Sequence, residues 1–263
     1  MKKIQNILTA ALSTLFLGGF LLAALLTPDK TDSLAERRTL AQRPALRASA
    51  VADGTYMTAF EKYTLDQFPL RDSFRALKAF FSGDVLLQRD NNGVYSAEDH
   101  LAKLDYPVNT ELVRHAAERF SAVYETYFTG GDANIYYTVV PDKNYFLAAQ
   151  NGYPAMDYAL LTDTLRGGMP FAEYIGIFDT LSLDKFYRTD AHWRQEELGE
   201  TASAIAAAMD DSLPAEYETV DTSVAFRGVY AGQYALPVEP DALRYLTNDA
   251  IAALRVYDYE TGK

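Results

Sequence analysis

The chain has 263 residues, of which 49% are hydrophobic and 13% aromatic, which is ample for a folded core and excludes a disordered chain. Its formal net charge of −12 at pH 7 argues against nucleic acid as a partner, because phosphate contacts need an excess of Lys and Arg. The absence of cysteine excludes disulfides, thiolate chemistry and a cysteine zinc site.

The N-terminus is predicted to be a membrane segment. Lys2 and Lys3 precede an uncharged run over residues 7–26, which is about long enough to cross a bilayer at ~1.5 Å per residue. A cleavable signal peptide is the alternative, but its apolar region is usually ~7–15 residues long and ends in a small-x-small site, which residues 25–28 lack. We therefore expect a signal anchor within residues 1–29. The positive-inside rule places the N-terminus in the cytoplasm and the rest of the chain outside the cell membrane.

Two short regions follow the anchor. Residues 30–53 are charged and weakly periodic, which predicts a stalk or linker with little fixed structure. Residues 54–95 are predicted to form a helical hairpin that turns at Phe68–Pro69, because proline and its predecessor disfavour a continuous helix. A short β-hairpin is predicted after it, with residues 85–87 and Val94–Tyr95 as strands around the turn at residues 91–93.

Residues 96–263 are predicted to form an α/β domain. Asn109 is a plausible N-cap for a helix that runs to Tyr127. A buried strand over residues 134–140, a helix from Tyr158 and a second strand over residues 174–178 then indicate a right-handed crossover and a parallel sheet. A third helix follows residue 193, and the tail beyond residue 211 is β-like or irregular. A turn signal after a strand-like stretch at residues 256–259 leads us to expect that the domain is truncated.

Lys143 and Asn144 stand at the exit of the first strand of this domain, where α/β sheets bind ligands. They are candidate substrate-binding residues, and the alternative is a solvated pair of Lys143 with Asp142. Phosphate-binding glycine loops, Rossmann fingerprints and clustered metal ligands are lacking, so we expect no cofactor and no metal.

The strongest chemical signal is Asp190-Ala191-His192-Trp193, which joins an acid, an imidazole and the only tryptophan of the chain. A carboxylate two residues before a histidine can accept the Nδ1 proton and leave Nε2 as a base, with Asp190 as the residue that orients His192. We expect this turn to open the third helix. Trp193 is a further candidate for substrate contact.

Two other interpretations of the same turn stay open. Asp190 can be an ordinary N-cap with His192 on the surface and Trp193 as a core anchor. Asp190, His192 and Glu196 can also form part of a metal site, since carboxylates and histidine are permissible ligands. Of the other two histidines, His115 is expected to be exposed and His100 to lie in a polar loop.

The string Tyr187-Arg188-Thr189-Asp190-Ala191-His192-Trp193 resembles the signature of the DHHW family of exported bacterial proteins, relatives of the alginate-acetylation AlgX/AlgJ group with SGNH-hydrolase-like domains. Weaker similarities lie at residues 36–40, 60–71, 140–143 and 226–230. The sequence departs from the four-letter signature at Ala191, where His is usual.

This resemblance implies a flavodoxin-like, three-layer SGNH-type sandwich that uses Ser, His and Asp to cleave or transfer acetyl groups on cell-envelope polysaccharide. Asp190 and His192 match the acid and the base. In the relatives the serine follows this block in a small-Asp-Ser turn, and none is found after Trp193; Ser82 is expected to be structural. The resemblance therefore predicts an esterase or O-acetyltransferase scaffold that lacks its nucleophile. A non-catalytic carbohydrate-binding or envelope-assembly protein is the alternative.

Overall fold

The computed structural model describes residues 2–213 and 216–262 and divides the chain into two compact units, Met1–Gln88 and Arg89–Lys263. It is a mixed α/β protein in which every sheet among the described residues has two strands. The first unit contains the elements α1 (Lys2–Leu26), β1 (Asp32–Ser33), β2 (Arg38–Thr39), α2 (Ala48–Ala52), α3 (Thr55–Asp66) and α4 (Arg71–Phe80), followed by a π-helical turn at Phe81–Val85.

Helix α1 agrees with the predicted membrane segment in place and character. It is the one helix within the described residues that is long and apolar enough to cross a membrane, and its residues are almost all exposed. A signal sequence would pass the same test of length and composition. The helix is therefore a candidate membrane segment whose topology and cleavage stay predictions.

The segment predicted to be a stalk or linker, residues 30–53, contains only short elements, and residues 40–47 form neither helix nor strand. Its strands β1 and β2 pair antiparallel, and α2 follows them. A residue of α3 holds this segment: the Asp66 carboxylate accepts hydrogen bonds from Arg38 at 2.5 and 2.8 Å and from the Ala41 amide at 2.8 Å. Composition alone did not reveal these partners.

Helices α3 and α4 lie on either side of Phe68–Pro69, as predicted, but the predicted β-hairpin is displaced. Residues 85–87 belong to the π-helical turn and its exit rather than to a strand. Val94–Ala97 (β3) pairs instead with His100–Lys103 (β4), and Glu98 and Asp99 make the turn with φ values of 48° and 59°. The expected turn at Asn91–Gly93 exists, with Gly93 at φ 75°, but it leads into this later hairpin.

The second unit continues after β4 with α5 (Thr110–Tyr127), β5 (Tyr136–Tyr137), α6 (Asn144–Leu147), α7 (Tyr158–Gly168), β6 (Glu173–Tyr174), α8 (Gly199–Ala208), β7 (Glu218–Phe226), α9 (Val229–Tyr234), β8 (Asp241–Thr247) and α10 (Asp249–Ala252). Asn109 caps α5 as predicted, since its Oδ1 accepts from the Leu112 amide at 3.0 Å. The β-like tail is confirmed by the antiparallel pair β7–β8, while residues 256–259 form no strand.

Strands β5 and β6 are parallel, which confirms the predicted strand, helix and strand order. Both are shorter than expected, and Tyr136 and Tyr137 are half-buried rather than fully buried. A strand that is buried on both faces needs a wider sheet, and β5 pairs here with β6 alone among the described strands. The structure thus supports a mixed α/β fold with a parallel pair, and the wider flavodoxin-like sheet stays a prediction.

Packing in the second unit centres on three small clusters. The first, formed by Ile175, Ile177, Leu181 and Phe186, has Trp193 and other partly buried side chains against it. Since Phe186 and Trp193 belong to the segment singled out in the sequence, this cluster is the base on which the candidate site is built.

Candidate functional site

Residues 186–193 form a tight hairpin whose two ends are fixed in the core. Phe186 and Trp193 make an antiparallel bridge, and the Tyr187 amide donates to His192 O at 3.1 Å. Phe186 is 2% exposed within the first hydrophobic cluster, and Trp193 packs on the same cluster. Trp193 is thus partly buried against the core, in agreement with the core-anchor interpretation, and its contact with substrate stays a prediction.

The tip of the hairpin brings Asp190 and His192 together. Asp190 Oδ1 accepts from His192 Nδ1 at 2.5 Å and from the His192 amide at 3.1 Å. Asp190 Oδ2 accepts from the Val229 amide at 2.7 Å. The Asp190 side chain is 2% exposed whereas the imidazole is 79% exposed. A buried acid thus holds an imidazole that is open to solvent.

The charge state of Asp190 follows from these contacts. Burial raises the pKa of its carboxyl, but the hydrogen bonds from the His192 ring and from the Val229 and His192 amides outweigh burial, and the pKa is lowered. The carboxylate is therefore ionised at neutral pH and can accept the Nδ1 proton, and in that tautomer Nε2 is the free ring nitrogen.

The expectation that this turn opens the third helix is wrong. Helix α8 begins at Gly199, after a separate 3-10 turn at Gln195–Glu197. Asp190 does not cap α8, and its oxygens are used by His192 and by the amide of Val229, the first residue of α9. The dipole of α8 consequently has no direct part in tuning His192, and the tertiary contacts of Asp190 take its place.

Gly228 explains how the chain can approach Asp190 so closely. A Cβ atom added there would lie 2.5 Å from Thr189 O and would collide with the Asp190 side chain. The absence of a side chain at this position therefore allows the Val229 amide to reach Asp190 Oδ2. The sequence singled out this segment only through its similarity to a family block, and it did not predict the contact.

Lys143 is the second unexpected feature of the site. Its side chain is buried, at 2% exposed, and Nζ donates to Tyr187 O at 2.9 Å and to Arg188 O at 3.1 Å. Nζ also lies 5.1 Å from the centre of the Tyr230 ring. Burial lowers the pKa of Lys143 to about 7, against the opposing effect of Asp241, Asp190 and Asp142.

Asn144 is buried as well, at 1% exposed, and its amide group binds Tyr95 Oη at 2.8 Å and Lys103 O. Both strand-exit residues thus lie inside the protein rather than at a ligand surface. The solvated alternative for Lys143 is wrong, because its amine is buried and binds two carbonyls of the hairpin. In the structure Lys143 supports the backbone of residues 187–188, and Asn144 binds Tyr95 and Lys103. Substrate contact by either side chain would require these hydrogen bonds to break.

Asp241 was missed by the sequence reasoning altogether. Its carboxylate is 7% exposed and accepts hydrogen bonds from the Arg188 amide at 2.9 Å, from the Thr189 amide at 2.9 Å and from Thr189 Oγ1 at 2.6 Å. The residue stands at the first position of β8, more than fifty positions after its partners. A burial pattern would not have found it, because a lone Asp at a strand start is ordinarily exposed.

The metal alternative lacks its third ligand. Glu196 Oε1 accepts from Arg194 Nε at 3.0 Å and from Nη2 at 2.7 Å, so the carboxylate is paired with a guanidinium. Among residues 2–213 and 216–262, no group of three or more His, Asp or Glu side chains is placed to hold a metal ion. The pair of Asp190 and His192 stands without a metal-binding partner in this part of the chain.

The remaining candidates of the sequence analysis lie elsewhere. Ser82 is 6% exposed and belongs to the π-helical turn of the first unit. His115 is an exposed residue of α5, as expected, while His100 is half-buried at the start of β4. Within the described residues, His192 Nε2 has no hydrogen-bond partner, so no serine hydroxyl stands next to the base.

Comparison with known proteins gives structural neighbours only. No protein-family model matches the sequence. No curated protein matches it either. Solved structures that resemble it include a DHHW family protein from Eubacterium siraeum, with 18% identity over 60% of this chain and 55% of that one and a TM-score of 0.48. The O-acetyltransferase domain of Pseudomonas putida AlgJ has 18% identity over 59% of this chain and 64% of that one, with a TM-score of 0.45.

Bacillus cereus PatB1, solved with a sulfonyl adduct, has 14% identity over 60% of this chain and 57% of that one, with a TM-score of 0.44. The chain therefore spans less than two thirds of the length of each of these three proteins. The solved structures similar to this chain include a DHHW family protein and an AlgJ domain, the two kinds of protein that its Tyr187–Trp193 string resembles.

Proposed function

We propose that this protein acts on O-acyl groups, chiefly acetyl, of cell-envelope polysaccharide, as an SGNH-hydrolase-like esterase or O-acetyltransferase scaffold. The observation that carries the proposal is the 2.5 Å contact between the buried Asp190 carboxylate and Nδ1 of the exposed His192 ring. A carboxylate in this position fixes the tautomer of the imidazole and stabilises the imidazolium that forms during base catalysis.

The chemistry open to the pair is general base catalysis of acyl transfer. Nε2 of His192 takes the proton of an attacking hydroxyl as the hydroxyl oxygen bonds to the acyl carbon. The same proton then passes to the leaving alkoxide as its bond to that carbon breaks, so the imidazole ends neutral. Asp190 keeps its charge throughout and holds Nδ1–H.

The substrate class comes from the resemblance of residues 187–193 rather than from a pocket. We propose the domain arrangement that the sequence suggested: an anchor at residues 1–29, a connecting segment at 30–53, a helical region at 54–95 and a flavodoxin-like SGNH-type domain from residue 96 onward. The two lysines at the start of α1 favour a cytoplasmic N-terminus and an extracytoplasmic main domain.

A second candidate function is non-catalytic binding of carbohydrate, or assembly of the cell envelope, on the same scaffold. The observation that favours it is the free Nε2 of His192, which has no neighbouring hydroxyl nucleophile among residues 2–213 and 216–262. A protein of this kind would bind glycan through the site without cleaving or transferring the acyl group.

The two functions differ in their response to loss of the base. Hydrolysis of an aryl acetate and release of acetate from acetylated glycan would be measured on the full chain and on His192→Ala and Asp190→Ala. The enzyme proposal expects a fall of about 10²- to 10⁴-fold, the usual contribution of a positioned general base. His115→Ala, which removes an exposed histidine of α5, is the matched control and should keep the full rate.

Equal rates in the wild type, His192→Ala and Asp190→Ala would reject the catalytic role of the pair. Binding of acetylated glycan by the wild type, without any acetate release above the His192→Ala background, would favour the binding function. Isothermal titration with a defined oligosaccharide would measure that binding directly.

A further inference from the structure

Asp241 binds the backbone amides of the two residues that come immediately before Asp190. Its Oδ1 accepts from the Arg188 amide at 2.9 Å, and its Oδ2 accepts from the Thr189 amide at 2.9 Å. The carboxylate is 7% exposed, and it is therefore held away from water against consecutive backbone donors. The main chain entering Asp190 is thereby fixed in direction.

Thr189 extends this contact to the other side of Asp190. Its hydroxyl donates to Asp241 Oδ2 at 2.6 Å and accepts from the Gly228 amide at 2.8 Å. The next amide, that of Val229, donates to Asp190 Oδ2 at 2.7 Å. The Asp241 carboxylate therefore fixes the backbone of residues 188–189, which leads into Asp190. Through the Thr189 hydroxyl it also fixes residues 228–229, whose Val229 amide binds Asp190.

We propose that Asp241 is a positioning residue for the Asp190–His192 pair: its carboxylate fixes the backbone of residues 188 and 189 and so aims the Asp190 carboxylate at His192 Nδ1. A change in the backbone direction at Thr189 would move the Asp190 side chain, because Asp190 follows it through one rigid peptide unit. Asp241 itself forms its hydrogen bonds with Arg188 and Thr189 and not with the imidazole. The catalytic role of Asp190 and His192 rests on the proposed function, whereas the orientation of Asp190 by Asp241 does not depend on it.

The test replaces one oxygen of the carboxylate by an amide nitrogen. Both oxygens of Asp241 face backbone N–H donors, so either orientation of the amide in Asp241→Asn sets a donor against a donor. Asp221→Asn is the matched control. Asp221 lies on β7, the strand that pairs with β8, and binds Arg244 at 3.0 Å. The control therefore removes the same charge from the same pair of strands without touching residues 188–190.

The readout is the tautomer of the neutral His192 ring, measured from the ring ¹⁵N shifts of the full chain in detergent at alkaline pH. The tautomer is set by the hydrogen bond of the other ring nitrogen, so a well-aimed Asp190 enforces the Nδ1–H form. The chain has three histidines, and His100→Gln and His115→Gln spectra assign the signals. Wild type and Asp221→Asn should show the Nδ1–H form, while Asp241→Asn and Asp190→Ala should shift to the Nε2–H form.

A folded Asp241→Asn protein that keeps the wild-type Nδ1–H tautomer would overturn the proposal, because a merely structural Asp241 would change stability without changing the tautomer. If Asp241→Asn fails to fold, Thr189→Val removes only the hydroxyl that joins Asp241 to Gly228, and it must shift the tautomer in part of the molecules. An unchanged His192 tautomer in Thr189→Val would then overturn the positioning role of Asp241. A tautomer shift in a protein without acyl-transfer activity would keep the positioning role and reject the proposed function.

Discussion

Replacing Lys143 by methionine should abolish a pH dependence of stability that the buried amine creates. Methionine keeps much of the length and apolar volume of the lysine stem and removes the charge. The Lys143 side chain is 2% exposed and its Nζ binds two carbonyls of the site hairpin, so its protonated form is held where water cannot solvate it.

The size of the effect follows from the two protonation equilibria. The pKa of Lys143 falls from 10.5 in the unfolded chain to about 7 in the folded protein, because of burial. Between these two values the unfolded chain binds more protons than the folded protein, so the free energy of unfolding rises with pH. The rise is about 1.4 kcal/mol per pH unit at its steepest. It amounts to about 2.5 kcal/mol between pH 7.5 and pH 9.5 for this one group.

Below pH 7 the amine is protonated in both the folded and the unfolded protein, and there Lys143 lowers the free energy of unfolding the most. Lys143→Met should therefore give a flatter curve of unfolding free energy against pH than the wild type over the alkaline window. The variant also leaves Tyr187 O without its amine donor, which costs about 1–3 kcal/mol at every pH. The slope, not the absolute stability, is thus the quantity that tests the buried charge.

Urea unfolding of the full chain in detergent, followed by tryptophan fluorescence, measures this slope. Trp193 is the only tryptophan and lies in the same compact unit as Lys143. Lys103→Met, which removes an exposed lysine of β4, is the control and should keep the wild-type slope. Parallel curves for the wild type and Lys143→Met between pH 7.5 and pH 9.5 would refute a buried, titrating Lys143.

Three further substitutions test other contacts by the same unfolding assay. Gly228→Ala should destabilise the folded protein by about 1–3 kcal/mol, since its Cβ would lie 2.5 Å from Thr189 O, and should weaken the Asp190 contact with the Val229 amide. A variant with wild-type stability would contradict that close approach. Phe186→Ala should cost about 3–5 kcal/mol because it empties the cluster beneath the hairpin, and a loss below 1 kcal/mol would argue against that packing. Asn109→Ala should cost about 1 kcal/mol through the lost N-cap, read by circular dichroism of the helices, with Asn134→Ala as a control at an exposed position outside any helix.

Local contacts were predictable because the residues that make them are close in sequence. The bond of Asp190 with His192 joins residues two positions apart, and the Asn109 cap joins residues three positions apart. A backbone turn or a first helical turn brings such residues together almost irrespective of the rest of the chain. The same holds for the helix boundaries around Phe68–Pro69, where proline restricts its own backbone.

Predictions failed where a distant partner decided the outcome. The short strands within residues 30–53 have a hydrogen-bond partner in Asp66, which lies 28 positions after Arg38. The β3–β4 hairpin replaced the predicted one because the strand Val94–Ala97 pairs with the segment after it rather than the one before. A pattern of apolar residues marks a strand but does not name its partner.

The sequence by itself determined the membrane-like helix, the main helices, the parallel order of two strands and the adjacency of an acid and an imidazole at Asp190 and His192. Only the tertiary structure decided that the acid is buried while the imidazole is exposed, that Lys143 lies inside, and that Asp241 holds the hairpin from 52 or 53 positions away. The physical reason is range: hydrogen bonds within a turn follow from local backbone geometry, whereas burial and the contacts of Lys143 and Asp241 exist only after separate elements have packed.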